Sequence, residues 1–504
     1  MSRENRLSPA STADIQGFIT SAFGHLPWTA YLFLQVHDRA LAREWLKRLL
    51  PRLTTANSWR RQPGKPKVKP NHTLNLALTY TGLTALGLSE ASLHTFPTEF
   101  REGMASPERS QILGDTGESA PTHWEVGGPL NEPTHALLIL NARAQQELDS
   151  FCDLEREALR ATQGGVIENE KDAQYGVRPE NGREHFGFFD GIAQPQIEGI
   201  KGEGVGTGEF ILGYLNEYNF YPVSPVVPPA DDPECILPLS ANPFHQPAGY
   251  RDLGMNGSFI VYRKLGQDVA GFWRFLQNES DRIRGAPDPE FMIWLAAKMV
   301  GRWPSGAPLT LAPGKDQPEL RSDDFLYAEA DPDGLKCPVG SHIRRTHPRD
   351  KLGSTGPVES LHMSARHRLL RRGRLYGPAL FDPTVLTQLD RPEALHAILD
   401  LQDDGQPRGV HFVSVNASIK DQFEFVQQAW VNNPNFGGLV ANRDPLVGDN
   451  DPSDEIGGML VPVPDRNFAL RTSPLPRFVN VHGGAYLFMP GLNALRYLTS
   501  PKLV

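Results

Sequence analysis

Two strand-and-helix units occur twice in this chain, and that repetition constrains its fold more than any other feature. Tyr31-Leu32-Phe33-Leu34, followed by Trp45, reappears as Phe259-Ile260-Val261-Tyr262 followed by Trp273, an offset of 228 residues (Trp45 to Trp273). Leu138-Ile139-Leu140-Asn141-Ala142 reappears as Val413-Ser414-Val415-Asn416-Ala417, an offset of 275 (Asn141 to Asn416). In both members of the second pair a strand ends at Asn-Ala and a helix follows. The order is the same in both copies, which points to a duplicated domain. The larger second offset puts extra sequence between the two units of the second copy, in the region from Cys337 to Arg371.

The first copy supplies the architecture. Ala30 to Val36 reads as a buried strand, and Leu41, Trp45, Leu46, Leu49 and Leu50 then recur at helical spacing. Leu74, Leu76, Leu78 and Tyr80 alternate as in a half-buried strand. Ala136 to Leu140 is another apolar run, followed by a helix carrying Leu148, Phe151 and Cys152. A strand entering Asp190 is expected to close the set. The order β-α-β-β-α-β is that of a ferredoxin-like domain, with antiparallel strands and helices on one face. The expectation is therefore an α+β chain of duplicated ferredoxin-like domains: an N-terminal segment over 1–24, one copy over 25–200, and a second over 256–504. The Gly/Pro-rich stretch 201–255 reads as a long connection over the surface, or as an insertion.

Bulk properties exclude several classes. A net charge of −9 and a pI near 5.9 argue against a nucleic-acid binder. The one basic run, Arg60 to Pro70, is broken by three prolines and reads as a solvated loop. Cys152, Cys235 and Cys337 show no paired spacing, so neither a disulfide framework nor a zinc site is signalled. No stretch is apolar for long enough to span a membrane, and Met1 to Phe18 has no continuous apolar core of a signal peptide. A cytoplasmic, reduced protein is expected.

Chemistry concentrates in three segments. Phe186-Gly187-Phe188-Phe189-Asp190-Gly191-Ile192-Ala193-Gln194-Pro195 delivers one carboxylate between glycines inside an aromatic run. The plain reading is an Asp-Gly turn after a strand. The functional one is a carboxyl whose pKa burial raises, fit to carry a proton. Ser341-His342-Ile343-Arg344-Arg345-Thr346-His347-Pro348-Arg349 sets a histidine among arginines able either to neutralise an anionic ligand or to solubilise a loop. Arg368-Leu369-Leu370-Arg371-Arg372-Gly373-Arg374-Leu375-Tyr376-Gly377 embeds arginines between apolar residues. A surface basic turn accounts for Arg372 and Arg374 better than for Arg371.

Taken together, these segments resemble the dye-decolorising peroxidases, a haem-containing family. Gly187 to Gly191 has the family's GxxDG form, and His342 to Arg349 resembles its HIRxxNPR segment. Leu369-Leu370-Arg371 with Tyr376-Gly377 resembles the stretch that supplies the distal arginine. Gln422 to Gln428 and Phe478 to Tyr486 are also similar, so the likeness runs through most of the chain in the right order.

The resemblance implies a peroxidase that binds haem b, mainly through the C-terminal copy, with His342 as the iron ligand. The opposite face of the iron is left for hydrogen peroxide. Asp190 is then implied as the proton carrier and Arg371 as the fixed positive charge for heterolytic O–O cleavage. Arg349, seven residues after His342, is implied as the partner of a haem propionate, and Phe412 as an aromatic wall. The expected partners are hydrogen peroxide and small-molecule or dye electron donors, with no nucleic acid and no membrane.

A haem-binding or haem-transfer protein with little turnover is the alternative; such a protein has no need of Asp190 and Arg371 together. A haem-free hydrolase using Asp190 as nucleophile leaves the His342 segment unexplained. The chain departs from the family at His347, where Asn is usual; five residues along a helix would set it about 140° from His342, against shared ligation. Cys337 as a thiolate ligand is the weaker choice. The carboxylate partner of His342 is not identified: motif position points to Asn416-Ala417-Ser418, with Asp421 and Glu424 nearby. A weaker partner would shift the iron potential upward. Trp430 and Tyr376 are candidate electron relays, although each Trp here is first expected in the core.

Overall fold

The computed structural model describes residues 7–59, 69–169, 173–200, 204–242, 249–387, 397–454, 457–463 and 468–500. Most of the basic run (60–68) lies outside them.

Four strands of the first half and four of the second form one closed barrel. The first four are β1 (Trp28–Val36), β2 (His72–Leu78), β3 (Ala136–Ala142) and β4 (Gln174–Val177). The second four are β5 (Ser258–Gln267), β6 (Arg374–Tyr376), β7 (Gly409–Asn416) and β8 (Val479–Met489). The order is β4-β1-β3-β2 in the first half and β8-β5-β7-β6 in the second. This is the ferredoxin-like order twice over, all antiparallel. The halves meet at Leu78 with Phe488 and at Val177 with Leu375, which closes the ring. Short strands Val166–Glu168 and Leu370–Arg371 flank β1 and β7.

The repeat read in the sequence joins equivalent strands, β1 with β5 and β3 with β7. Each first strand runs into a helix capped by an aspartate. Asp38 accepts from Leu41 N ahead of α1 (Arg39–Leu49), and Asp268 accepts from Gly271 N ahead of α3 (Val269–Arg284). Trp45 and Trp273 are both buried on these helices. α2 (Gln145–Arg160) follows β3; the helical segments Lys420–Glu424 and Val426–Val431 follow β7.

Alternation decides which side chains fill the barrel. Tyr31, Phe33, Ile260, Tyr262, Val413 and Val415 pack in its interior, whereas Ala30, Leu32 and Leu34 point outward beneath helices. With both faces covered, the central strands read as unbroken apolar runs. β2 is therefore buried at every position but His72, not half-buried as its alternation suggested. Tyr80 lies beyond the strand and opens the helix Tyr80–Ala85, which Thr79 caps through Gly82 N at 3.0 Å. The 201–255 stretch does more than wrap the surface: its Phe210 and Ile211, with Phe18 and Phe23, join the interior cluster of the barrel.

No strand enters Asp190. Residues 186–190 form a loop with one bridge, between Arg183 and Phe189. Two local features break a ladder here. The Glu184 carboxylate accepts from Phe186 N and Phe188 N, both at 2.9 Å. Gly187 stands at φ +102, and a Cβ there would come within 2.3 Å of Leu386 Cδ1. The strand that completes the first copy is β4.

The extra sequence of the second copy lies between β5 and β7. Following α3, the counterpart of α1, it contains α4 (Pro289–Val300), the short helix α5 (His342–Thr346) and the Arg371 strand. These pack against the outer face of β5, β7 and β8, where the cavity described next is found. Among the described residues no helix is long and apolar enough to cross a membrane.

Candidate active site

A cavity of about 450 Å³ lies between the barrel wall and the extra segments of the second copy. Outward-facing residues of β5 (Arg263, Leu265, Gln267) and of β7 (Val410, Phe412) form its floor. Asp190, His342, Arg349, Arg371 and Phe412, singled out in the sequence, all line it. They come from segments separated by up to 222 positions (Asp190 to Phe412).

Asp190 and Arg371 form an ion pair on the cavity wall, with Arg371 NH1 3.2 Å from Asp190 Oδ1. Two further bonds tie the strand of Arg371 to the same loop: Arg371 N donates to Gln194 Oε1 at 3.1 Å, and Arg371 NH2 to Ala193 O at 3.5 Å. Gly191, at φ +83, allows the loop to turn just after the carboxylate, and a Cβ there would meet nothing within 4 Å. Burial was expected to raise the Asp190 carboxyl. Desolvation by the surrounding walls is the largest single influence and does push it up, although the side chain stays 55% exposed to the open cavity. The Arg371 guanidinium, the Gly191 N–H and His342 together outweigh it and hold the carboxyl below its ordinary value.

His342 opens α5, so its side chain leaves the first turn of the helix toward the cavity. Its Nδ1 is 2.9 Å from Asp444 Oδ2. Asp444 is fully buried, and its Oδ1 also accepts from Leu446 N at 2.9 Å and Val447 N at 3.0 Å. Burial pushes the Asp444 carboxyl up, but His342, the Val447 N–H and Arg345 prevail, so it is held low and ionised. An ionised carboxylate only accepts, so Nδ1 carries a proton and Nε2 is the ring nitrogen left for another partner. Nε2 has no hydrogen-bond partner among the described residues.

Asp444 is the residue that reasoning from the sequence missed. The stretch first considered serves elsewhere: Asp421 bonds Ser418, and Glu424 bonds Tyr486 and Arg109. Asp444 lies 102 positions from His342, and Asp444-Pro445 reads locally as a turn.

The neighbouring arginines divide by direction. Arg349 lines the cavity; its NH2 pairs with Asp323, and its buried Nε has no hydrogen-bond partner. Arg344 and Arg345 neither face a ligand nor solubilise a loop. Both are fully buried, Arg344 on Asp331 and Cys337 O, Arg345 on the carbonyls of Gly340, Trp430, Asn433 and Asn442. Arg372 and Arg374 are likewise buried rather than exposed: Arg372 donates to Phe18 O and Ile19 O, and Arg374 to Ala22 O and Leu26 O, pinning the N-terminal segment.

α5 ends at Thr346, so the helical-wheel separation of His342 from His347 does not apply; His347 also lines the cavity. Burial, then Arg349 and Arg368, push His347 down to about 3, which keeps it neutral. Cys337 is not among the lining residues; its buried thiol faces Ser341 Oγ at 3.1 Å. Trp430 is buried core against His367, Phe425 and Phe436, and Tyr376 is half-buried at the barrel rim.

This arrangement suits a flat anionic metal group. It offers one unshared imidazole nitrogen, mostly apolar walls, and an unsatisfied buried donor on Arg349. It also holds a separate acid–base pair on the same cavity.

The family model described as "DyP dimeric alpha+beta barrel domain" matches residues 14–179. A dye-decolorizing peroxidase of Mycena epipterygia is 29% identical over 497 residues, covering 92% of this chain and 82% of its own. One of Auricularia auricula-judae is 28% identical over 505 residues (96% and 86%), and the multifunctional dye peroxidase of an Amycolatopsis species 29% over 489 (93% and 91%). Among solved structures, a dye-decolorizing peroxidase in complex with 2,6-dimethoxyphenol superposes with a TM-score of 0.69 at 26% identity, covering 98% of this chain and 99% of that one. The Auricularia auricula-judae enzyme superposes with a TM-score of 0.71 at 25% identity, covering 97% and 100%.

Proposed function

We propose that this chain, which belongs to the dye-decolorising peroxidase family, reduces hydrogen peroxide with a bound haem and oxidises dyes, phenols or other one-electron donors. One observation carries the reading. A single cavity bears both a histidine whose Nδ1 is committed to a buried carboxylate and an Asp–Arg ion pair.

The residues present fit haem b. His342 Nε2 would hold the iron, Arg349 would meet a propionate, and Phe412 would pack against the macrocycle. No cysteine lines the cavity among the described residues, in keeping with a haem held without thioether bonds. Haem, when bound, supplies the metal that activates peroxide and stores the oxidising equivalents passed to donors.

The protein's part is proton movement and charge. Asp190, ionised by its pairing with Arg371, takes the proton from one oxygen of hydrogen peroxide and returns it to the other, which departs as water. Arg371 places fixed positive charge where negative charge develops as the O–O bond parts. Asp444 keeps His342 in one tautomer and one orientation.

The duplication supports two ferredoxin-like copies over 25–200 and 256–504, joined by 201–255. Three free thiols are in keeping with a reducing compartment such as the cytoplasm. The test is an absorption spectrum of protein reconstituted with haem, before and after one equivalent of peroxide. A Soret band that changes on addition, followed by oxidation of a phenol, is the expected result. Absence of the band removes the whole reading; a band that peroxide leaves unchanged favours a haem carrier.

A further inference from the structure

Glu184 lines the same cavity as Asp190, six residues before it, and the peroxide chemistry above makes no use of it. Its carboxylate is the hub of the loop. Oε2 accepts from Phe186 N at 2.9 Å and from Gln267 Nε2 at 2.8 Å, and Oε1 accepts from Phe188 N at 2.9 Å. The Glu184 backbone adds two more bonds, accepting from Gly187 N and donating to Phe188 O, both at 2.9 Å. The segment that presents Asp190 is therefore wound around this one side chain and anchored through Gln267 to β5.

We propose that Glu184 is a positioning residue for the proton transfer at Asp190: it holds the loop in shape, and its ionised carboxylate makes Asp190 a stronger base. This rests on the peroxidase reading above. Two observations support it besides the loop geometry. Burial, with a smaller push from the Asp190 charge, raises the Glu184 carboxyl to about 7 against the lowering by its three N–H donors. Coupling between two sites is reciprocal, so an ionised Glu184 raises the proton affinity of Asp190 by the same factor. Second, Gln267 Oε1 is buried with no hydrogen-bond partner. A half-turn of that amide would offer Oε1 to a protonated Glu184, so the pair can satisfy either ionisation state. The other charged groups facing Glu184 are Arg183, on its own segment, and Asp190; the neighbouring His185 turns instead to Tyr376 O at 2.8 Å.

The experiment follows the haem-loaded protein and Glu184→Gln across pH 5 to 9 by two readouts. Infrared difference spectra should show a protonated carboxyl band that appears as pH falls through about 7 in the wild type and is missing in the variant. The stopped-flow rate with peroxide should rise severalfold through the same range in the wild type, following the base strength of Asp190, and stay flat in Glu184→Gln. If that variant fails to hold haem, Gln267→Leu serves. It removes one stabilising donor, so the carboxyl band and the rate inflection should both move to higher pH. A carboxyl band that does not titrate near neutrality, or an inflection that persists in Glu184→Gln or stays in place in Gln267→Leu, overturns the inference. A wild type that never reacts with peroxide sinks the peroxidase reading and this inference with it. One that reacts with no inflection near neutrality sinks the inference alone.

Discussion

Asp444 holds His342 Nδ1 at 2.9 Å from a position with no exposed surface, and that bond decides which imidazole nitrogen is left for a metal. Asp444 is itself fixed by Leu446 N and Val447 N, so the histidine is oriented by the backbone of a segment remote in sequence. Asp444→Asn keeps an acceptor for those two amides but removes the negative charge facing Nδ1. Iron affinity should fall about 10- to 100-fold, and the iron potential should rise. Haem transfer to an acceptor protein and potentiometric titration measure the two effects; an unchanged potential would separate Asp444 from ligand tuning.

Arg371→Leu deletes the positive charge beside Asp190. The rate of reaction with peroxide, followed at the Soret band, should drop by about 10²- to 10³-fold, as for the loss of one preorganised donor to developing charge. Haem affinity should change little, since Arg371 contacts the Asp190 loop and not His342.

The acid limb of that reaction has a defined sign. The Asp190 carboxyl is held below its ordinary value, so it remains ionised and able to accept a proton at mildly acid pH. Below the inflection assigned to Glu184, the rate should fall again as pH drops through that lowered value. In Arg371→Leu, burial acts without its main opponent, and the limb should move to higher pH. A limb at the same pH in both proteins would assign it to another group.

Arg372→Ala tests an arginine outside the chemistry. Its guanidinium donates to Phe18 O at 3.1 Å and Ile19 O at 2.9 Å. Their loss leaves two buried carbonyls unpaired, at roughly 1–3 kcal/mol each. A urea midpoint that falls with unchanged slope is the expected outcome.

Much of the site was legible from the chain because its chemistry sits in short local motifs. Asp190, His342, Arg349, Arg371 and Phe412 stand out by residue type and neighbourhood, and the fold brings all five to one cavity. Direction was harder to read. Arg344, Arg345, Arg372 and Arg374 lie in the same basic runs as Arg349 and Arg371, yet all four are buried on backbone carbonyls or an ion pair. The turn of α5 and the alternation of short strands send successive side chains to different places, and composition carries no record of that.

By itself, the sequence determined the duplicated strand–helix order, because apolar periodicity and its repetition are local properties. It also determined which residues carry unusual chemistry. Only the tertiary structure decided that the two copies close one barrel, through strand pairing at Leu78–Phe488 and Val177–Leu375. The same holds for the choice of Asp444 over Asp421 and Glu424, and for an Asp190 carboxyl that is lowered rather than raised. Each of these depends on a partner about a hundred or more positions away. A pKa or a tautomer follows the sum of burial, charge and hydrogen bonds at one point in space, and that sum exists only once the chain has folded.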